Sequence, residues 1–345
     1  MDSVRANFGT SVRRRIYSEV LPLAELGRDE TLQALATRQI ELVVAVWPST
    51  LAETLQVVGR AVDRGVATTL WPMLDDDDGR WVSVENVEPY AAFVRVVVDQ
   101  MGQSCRSLLV DLEPPIGQVR AWLAGPWRAM GARPRGSFGA GRRALKALLD
   151  ELGDRGIERT AAVIPLCVYD QPRGRSWQRL LGTPVDGMPF DHVSVMAYTT
   201  LFEGYSRGLL GRKDALMLLD DLCTAARTKY GARASISIGC SGTGAIGDEQ
   251  AYRSLGELDD DLHHAVAAQI DDVALFDLHG VLQRPDAARW LDRFAARDLP
   301  RATAEAAVRS RAPSRRARIL GWLFSQSFGQ LDDETEELGD DLIGS

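Results

Sequence analysis

Short apolar runs alternate with amphipathic segments along most of this chain, and the two patterns predict different elements. Eight runs are rich in β-branched and other apolar residues and predict strands, because such residues favour the pleated, buried environment of a sheet. The predicted strands are Arg15–Leu21, Ile40–Trp47, Val66–Leu74, Ser107–Glu113, Thr160–Val168, His192–Thr199, Ala234–Cys240 and Asp272–Leu278. The segments between them carry apolar residues at helical spacing, and the predicted helices are Leu51–Arg64, Val87–Met101, Arg142–Leu152, Lys213–Tyr230, Asp259–Gln269 and Asp286–Ala296.

The order of these elements predicts the fold class. A strand followed by a helix long enough to cross over implies that the next strand is parallel to the first. Eight such units predict an α/β protein with a closed (β/α)8 barrel, also called a TIM barrel. An open doubly wound sheet would alternate in the same way, but no GxGxxG motif follows the first predicted strand. We therefore expect residues 1–300 to form one barrel domain.

Alternation along the strands predicts which side chains face the barrel interior. The fourth, sixth and seventh strands each have one apolar row for the helices and one row with polar members for the interior. The predicted interior rows are Leu109, Asp111 and Glu113; Ser194, Met196 and Tyr198; and Ser235, Ser237 and Gly239. In the eighth strand we expect Ala274, Phe276 and Leu278 to pack outward, with Leu275, Asp277 and His279 inside.

Composition and charge narrow the class of partner. The chain has 345 residues, 45% of them hydrophobic, and a net charge of −8, which argues against nucleic acid as the main partner. No apolar run is long enough for a membrane span, and residues 1–15 lack the apolar core of a signal peptide, so we expect a cytoplasmic protein.

Residues 301–345 combine an Ala- and Arg-rich stretch, a short apolar piece and an acidic end, which predict an appended C-terminal helix and a disordered acidic tail.

Two acids at the end of the fourth predicted strand are the strongest candidates for chemistry. Asp111 and Glu113 lie two residues apart, so they point to the same face, and Pro114 and Pro115 stop the strand directly after them. Burying two carboxyl groups together is costly and raises the pKa of at least one of them, as a general acid requires. The structural alternative is a capping or salt-bridging pair, with Arg106 or Arg207 as the partner.

The pair of acids, taken with Met196-Ala197-Tyr198-Thr199 on the sixth strand, resembles glycoside hydrolase family 18, the chitinase-like barrels. That family carries DGxDxDxE on its fourth strand and MxYD on its sixth. The resemblance implies that Glu113 is the general acid that protonates the leaving oxygen. It also implies that Asp111 orients the 2-acetamido group of the substrate, and that Tyr198 hydrogen-bonds the oxygen of that group.

The chain departs from the family pattern at several positions. Leu109 replaces the preceding acid, Thr199 replaces the Asp after the tyrosine, and the eighth strand lacks the family's tryptophan. Further candidates for substrate binding lie at the ends of other predicted strands. These are Glu19, Trp47, Trp71, Met196, Asp277 and His279.

The sequence therefore predicts a glycosidase that acts on an oligosaccharide or other glycan containing N-acetylhexosamine, with no cofactor and no metal, and it leaves the oligomeric state open. Two alternatives remain. The first is a non-catalytic sugar-binding barrel. The second is a metal-dependent barrel hydrolase that uses Asp111, Glu113, Asp277 and His279 as ligands.

Overall fold

The computed structural model describes residues 12–124, 137–170 and 176–297. Eight parallel strands close into a barrel in chain order, each paired with its two neighbours and the last paired with the first. The strands are β1 (Arg13–Ser18), β2 (Glu41–Val46), β3 (Thr68–Pro72), β4 (Ser107–Leu112), β5 (Glu158–Val163), β6 (His192–Met196), β7 (Ala234–Gly239) and β8 (Asp272–Phe276). The predicted (β/α)8 barrel is confirmed.

Helices follow the strands and cover the outside of the barrel. In chain order they are α1 (Leu23–Leu26), α2 (Asp29–Arg38), α3 (Leu51–Asp63), α4 (Val87–Met101), α5 (Ile116–Ala124), α6 (Phe138–Asp154), α7 (Trp177–Leu181), α8 (Thr199–Tyr205), α9 (Arg212–Tyr230), α10 (Leu255–Ala267), α11 (Leu278–Leu282) and α12 (Ala287–Ala295). None of the helices in the described part of the chain is both long enough and apolar enough to cross a membrane. The predicted C-terminal helix and acidic tail lie outside the described residues, and the domain boundary at residue 300 stays a prediction.

The predicted faces of β4, β6 and β7 are confirmed. Val110 and Val195 pack in the apolar layer between strands and helices, whereas Leu109 lies in a separate cluster inside the barrel. The prediction for β8 is wrong, because Ala274 and Phe276 belong to the interior cluster and Leu275 to the outer layer. Since β8 ends at Phe276, strand alternation does not extend to the polar residues that follow it.

A chain of polar side chains fills the barrel below the interior apolar cluster. Arg15, fully buried, forms two hydrogen bonds to the Asp272 carboxylate at 2.9 and 2.8 Å and donates to Ser235 Oγ at 2.7 Å. Ser235 donates to Ser194 Oγ, which lies 2.8 Å from Ser237 Oγ, and Ser237 Oγ lies 3.0 Å from the Tyr17 hydroxyl. Buried hydroxyls and guanidinium nitrogens thus find partners within the barrel, and the chain closes its lower end.

Candidate active site

A cavity of about 630 Å³ opens at the carboxyl ends of the strands. That end of a (β/α)8 barrel is where enzymes of this fold place their catalytic groups. Six of the residues predicted to form the site line this cavity, and they come from four different strand ends. They are Glu19, Trp71, Asp111, Glu113, Met196 and Tyr198.

Asp111 and Glu113 lie where β4 ends against the cavity. Asp111 is the penultimate residue of β4 and is almost completely buried, whereas Glu113 follows the strand and is partly exposed toward the cavity. Among the described residues, no Arg or Lys forms an ion pair with either carboxyl group. The alternative of a salt bridge to Arg106 or Arg207 therefore has no support from the contacts.

Burial changes the ionisation of both carboxyl groups. It raises the pKa of Glu113 to about 8, with the charge of Glu19 adding to the rise and that of Arg80 opposing it. Burial and then the neighbouring Glu113 and Glu19 also raise the pKa of Asp111 well above its usual value. A carboxyl group with a pKa of about 8 is mostly protonated at neutral pH, and because the two groups interact, their titration steps belong to the pair. A protonated carboxyl group next to a cavity is able to act as a general acid.

Trp71 supplies an indole nitrogen beside Asp111. Trp71 is almost fully buried, and its ring packs edge-on against Tyr17 with centroids 5.3 Å apart. The indole lies close enough to Asp111 to oppose the rise in the pKa of that carboxyl group. Even so, Trp71 Nε1 and Asp111 Oδ1 both lack a hydrogen bond of good geometry within the protein. Trp71 is therefore the nearest donor to the buried Asp111 carboxyl group.

Tyr198 lies two residues after the end of β6, at the N-cap position of α8, and lines the same cavity as the acids. Its ring packs against Phe276 of β8 with a centroid distance of 5.7 Å, and Phe276 also packs against Tyr17 at 5.8 Å. Phe276 lines the cavity at the end of β8. Sequence analysis missed this role because it assigned Phe276 to the outer face of β8.

Three of the predicted substrate-binding residues are not among the residues that line the cavity. Trp47 lies beneath the guanidinium of Arg80, which is 4.7 Å from the centre of its ring. Asp277 is completely buried and accepts a hydrogen bond from the backbone N–H of Gly280 at 3.0 Å, so it caps α11. His279 lies within α11, with Nε2 3.5 Å from Gln283 Nε2. Any role of these three in binding stays a prediction.

The metal alternative needs Asp111, Glu113, Asp277 and His279 to converge on one ion. Across residues 12–124, 137–170 and 176–297, no group of three or more His, Cys, Asp or Glu side chains has an arrangement suited to a metal ion. Asp111 and Glu113 line the cavity, whereas Asp277 and His279 are not among the residues that line it. The arrangement of the donors thus does not support this alternative.

Several residues at the cavity were missed by sequence analysis. Arg80, after β3, donates from Nη2 to Glu19 Oε1 at 2.6 Å and places its charge near Glu113. Trp81 and Tyr17 line the cavity, as does Glu249 from the loop after β7. Tyr17 could have been predicted from the sequence, because it lies two residues before Glu19 and strand alternation points both side chains to the same face. The other three follow strands at irregular distances, where no periodicity marks them.

Comparison with solved structures supports the barrel fold. No protein-family model and no curated protein sequence matches this chain. The glycoside hydrolase domain of PgaB (BpsB) from Bordetella bronchiseptica is 11% identical with a TM-score of 0.51, covering 82% of this chain and 99% of that chain. A GH5_18 protein from Bifidobacterium longum is 11% identical with a TM-score of 0.52, covering 77% of this chain and 70% of that chain. A GH18 chitinase from Cycas revoluta, 11% identical, covers 82% of this chain and 98% of that chain, but its TM-score of 0.49 is too low to support an argument. At these identities the likeness extends to the barrel fold alone.

Proposed function

We propose that this barrel is a glycoside hydrolase that cleaves a glycan containing N-acetylhexosamine, by a retaining mechanism in which the substrate's own acetamido group is the nucleophile. The observation that carries the proposal is the position of Glu113. It lines the cavity with a pKa raised to about 8, beside a second carboxyl group, and Tyr198 lines the same cavity. The residues match those that the resemblance to family 18 implies.

In the first step Glu113 donates its proton to the glycosidic oxygen as the bond from that oxygen to C1 breaks. The carbonyl oxygen of the acetamido group attacks C1 from the opposite face and forms a cyclic oxazolinium ion. Asp111 accepts a hydrogen bond from the acetamido N–H, and the Tyr198 hydroxyl holds the acetamido oxygen in line. The sugar remains in the cavity, and the alcohol leaves with the proton from Glu113.

In the second step a water molecule adds to C1 and the ring of the oxazolinium opens. Glu113, now ionised, takes one proton from that water, which restores the starting protonation state. The net reaction adds one water across the glycosidic bond, and two inversions at C1 retain its configuration.

The surroundings of the site support a nucleophile supplied by the substrate. The structure brings two more carboxylates to the cavity, those of Glu19 and Glu249. Arg80 binds Glu19 at 2.6 Å, and Glu249 accepts hydrogen bonds from the N–H groups of Gly244, Ile246 and Gly247. At the two positions where the family has acids, this chain has residues that make other contacts. Leu109 packs in the interior cluster, and Thr199 Oγ1 donates to the buried carboxylate of Asp261 at 2.7 Å. These departures remove neighbours of Asp111 and Tyr198 without removing the three proposed catalytic groups.

Hydrolysis of p-nitrophenyl N-acetyl-β-glucosaminide and the corresponding chitobioside tests the proposal. We expect the wild-type protein to release nitrophenol with and without chelator, and Glu113→Gln to be slower by about 10²- to 10⁴-fold. Glu88→Gln, on the exposed surface of α4, is the matched control and keeps wild-type activity. Activity lost to chelator would instead favour the metal-dependent alternative. Binding of chitobiose by calorimetry without any cleavage would overturn the proposal in favour of the sugar-binding barrel.

A further inference from the structure

The lining of the cavity has charged and apolar parts. Its charged side chains, Glu19, Asp111, Glu113 and Glu249, come from the ends of β1 and β4 and from the loop after β7. The segments that follow β5 and β6 add mainly apolar side chains, and we call this part the apolar chamber. The chamber is lined mainly by Leu166, Leu201, Phe202, Leu209, Leu210 and Leu218. Tyr169, Tyr205 and Ser206 of the same segments also line the cavity, and the hydroxyls of Tyr205 and Ser206 already donate to Asp248 and to the Glu203 carbonyl.

The composition of the chamber restricts what it can hold. Among the described residues that line the cavity there is no Asn, Gln, His, Lys or Arg. A sugar ring carries hydroxyl groups around its edge, and each one that is buried without a hydrogen-bond partner costs about 1–3 kcal/mol. A further sugar in the chamber would leave several hydroxyls unsatisfied, whereas an apolar group would gain from leaving water.

The chamber is fixed relative to the catalytic groups. The backbone N–H groups of Leu201 and Phe202 donate to the Tyr198 carbonyl at 3.0 and 3.2 Å, so one helical turn carries both the tyrosine and the first two chamber residues. The chamber and the acids belong to one continuous cavity, whose volume of about 630 Å³ falls in the usual range for small-molecule sites.

The mouth of the chamber is also apolar. Leu209 is 70% exposed, and Tyr205 and Leu123 are each more than one-third exposed at the cavity. Single exposed apolar residues are common on protein surfaces, but these three all lie among the residues that line one cavity.

We propose that the substrate is a glycoside whose leaving group is an apolar alkyl alcohol, with the sugar at the acids and the alkyl chain in the apolar chamber. This inference rests on the proposed function, because it assigns the leaving group of that same reaction. Water adds across the bond between C1 and the alkyl oxygen, and the alcohol departs with the proton from Glu113.

Binding of methyl, butyl and octyl N-acetyl-β-glucosaminides to the Glu113→Gln protein tests the chamber without requiring turnover. Calorimetry is run below the critical micelle concentration of the octyl compound, with chitotriose as the sugar-only comparison. We expect affinity to rise by about three- to fourfold for each methylene that enters the chamber. The octyl compound should also bind more tightly than chitotriose. The proposal is overturned if affinity does not change with alkyl length, as expected if another protein segment fills the chamber. It is also overturned if chitotriose binds more tightly than the octyl compound.

Substitutions then locate the effect. Leu201→Gln and Phe202→Gln are expected to reduce the ratio of octyl to methyl affinity by at least about tenfold, because a polar amide replaces apolar wall. Leu209→Gln provides the same test at an exposed position where folding is not at risk. Val96→Gln, on the exposed face of α4, is the control and should leave the ratio unchanged. An unchanged ratio in all three chamber variants would contradict the proposal.

The two proposals fail in different ways. Affinity that rises with alkyl length, together with no cleavage by the wild-type protein, would overturn the proposed hydrolase and retain the apolar chamber. Equal kcat/KM for the methyl and octyl compounds would retain the hydrolase and overturn the chamber.

Discussion

Arg80 and Glu19 form a buried ion pair beside the proposed general acid, with Nη2 and Oε1 2.6 Å apart. The two groups act on Glu113 in opposite directions: the negative charge of Glu19 raises the pKa of Glu113 and the positive charge of Arg80 lowers it. Cation–π contact with Trp47 holds the guanidinium in place. The pair thereby sets the pH range over which Glu113 keeps its proton.

Removing either member of this pair should shift the pH profile of kcat/KM. In Glu19→Gln the pKa of Glu113 falls, because a nearby anion is lost, so the alkaline limb moves to lower pH. In Arg80→Met the pKa of Glu113 rises and the limb moves to higher pH. Glu88→Gln serves as the surface control. Shifts in the same direction for both variants would show that the pair does not act through its charges.

Tyr198→Phe removes one hydroxyl and keeps the ring that packs on Phe276 at 5.7 Å. If the hydroxyl holds the acetamido oxygen in line, kcat should fall by about 10- to 100-fold with a smaller change in KM. The free energy of unfolding should change by less than about 1 kcal/mol, because the aromatic packing remains. An unchanged kcat would remove Tyr198 from the catalytic groups.

Asp277 should make the stability of the fold depend on pH. Burial, and then the charges of Glu19 and Glu249, raise its pKa to about 7, against an ordinary value of 3.8, although the N–H groups of Gly280 and His279 oppose the rise. A raised folded-state pKa contributes stability that is fully present below about pH 4 and is lost as pH rises to about 7. Asp277→Asn keeps an acceptor for Gly280 but cannot ionise.

We therefore expect Asp277→Asn to lose less stability than the wild-type protein between pH 4 and pH 8. Urea unfolding at each pH measures the difference, and Asp286→Asn, at the exposed start of α12, is the control. A variant that follows the wild-type curve in parallel would show that Asp277 does not titrate in this range.

Arg15→Ala should be strongly destabilising. It leaves the Asp272 carboxylate without the guanidinium that binds it through two hydrogen bonds inside the barrel. Breaking a buried pair from one side costs about 3–5 kcal/mol of unfolding free energy. Arg38→Ala is the matched comparison. It breaks the pair with Asp292, which is 65% exposed, and should cost no more than about 1 kcal/mol. Equal losses in the two variants would contradict this assignment.

The sequence was sufficient to predict the barrel because its strands are nearly continuous apolar runs separated by helical patterns. Asp111 and Glu113 could be found for a related reason: two acids at the end of such a run stand out against it. The faces of β8 were wrong because the assignment followed the polar residues after Phe276, which lie beyond the strand. Asp272, in the row of Ala274 and Phe276, binds Arg15 inside the barrel and marks the interior face.

Arg80 shows the limit of sequence patterns. Its importance comes from a contact with Glu19, 61 residues earlier in the chain, and from its distance to Glu113, neither of which leaves a periodic signal. Glu249 is similar, since its oxygens accept from the N–H groups of Gly244, Ile246 and Gly247 in an irregular loop. Only the closed fold brings these residues to the cavity.

The polar chain that fills the lower barrel has an evolutionary consequence. Ser237 is the hydrogen-bond partner of the buried Tyr17 hydroxyl, so replacing Ser237 alone leaves that hydroxyl unsatisfied, and a change at either end of this contact affects the other. A mutation at one of these positions is tolerated when a second one restores the lost partner or removes the need for it. Substitutions at these positions should therefore occur in pairs in sequences descended from this gene, although the strands that carry them are far apart in the chain.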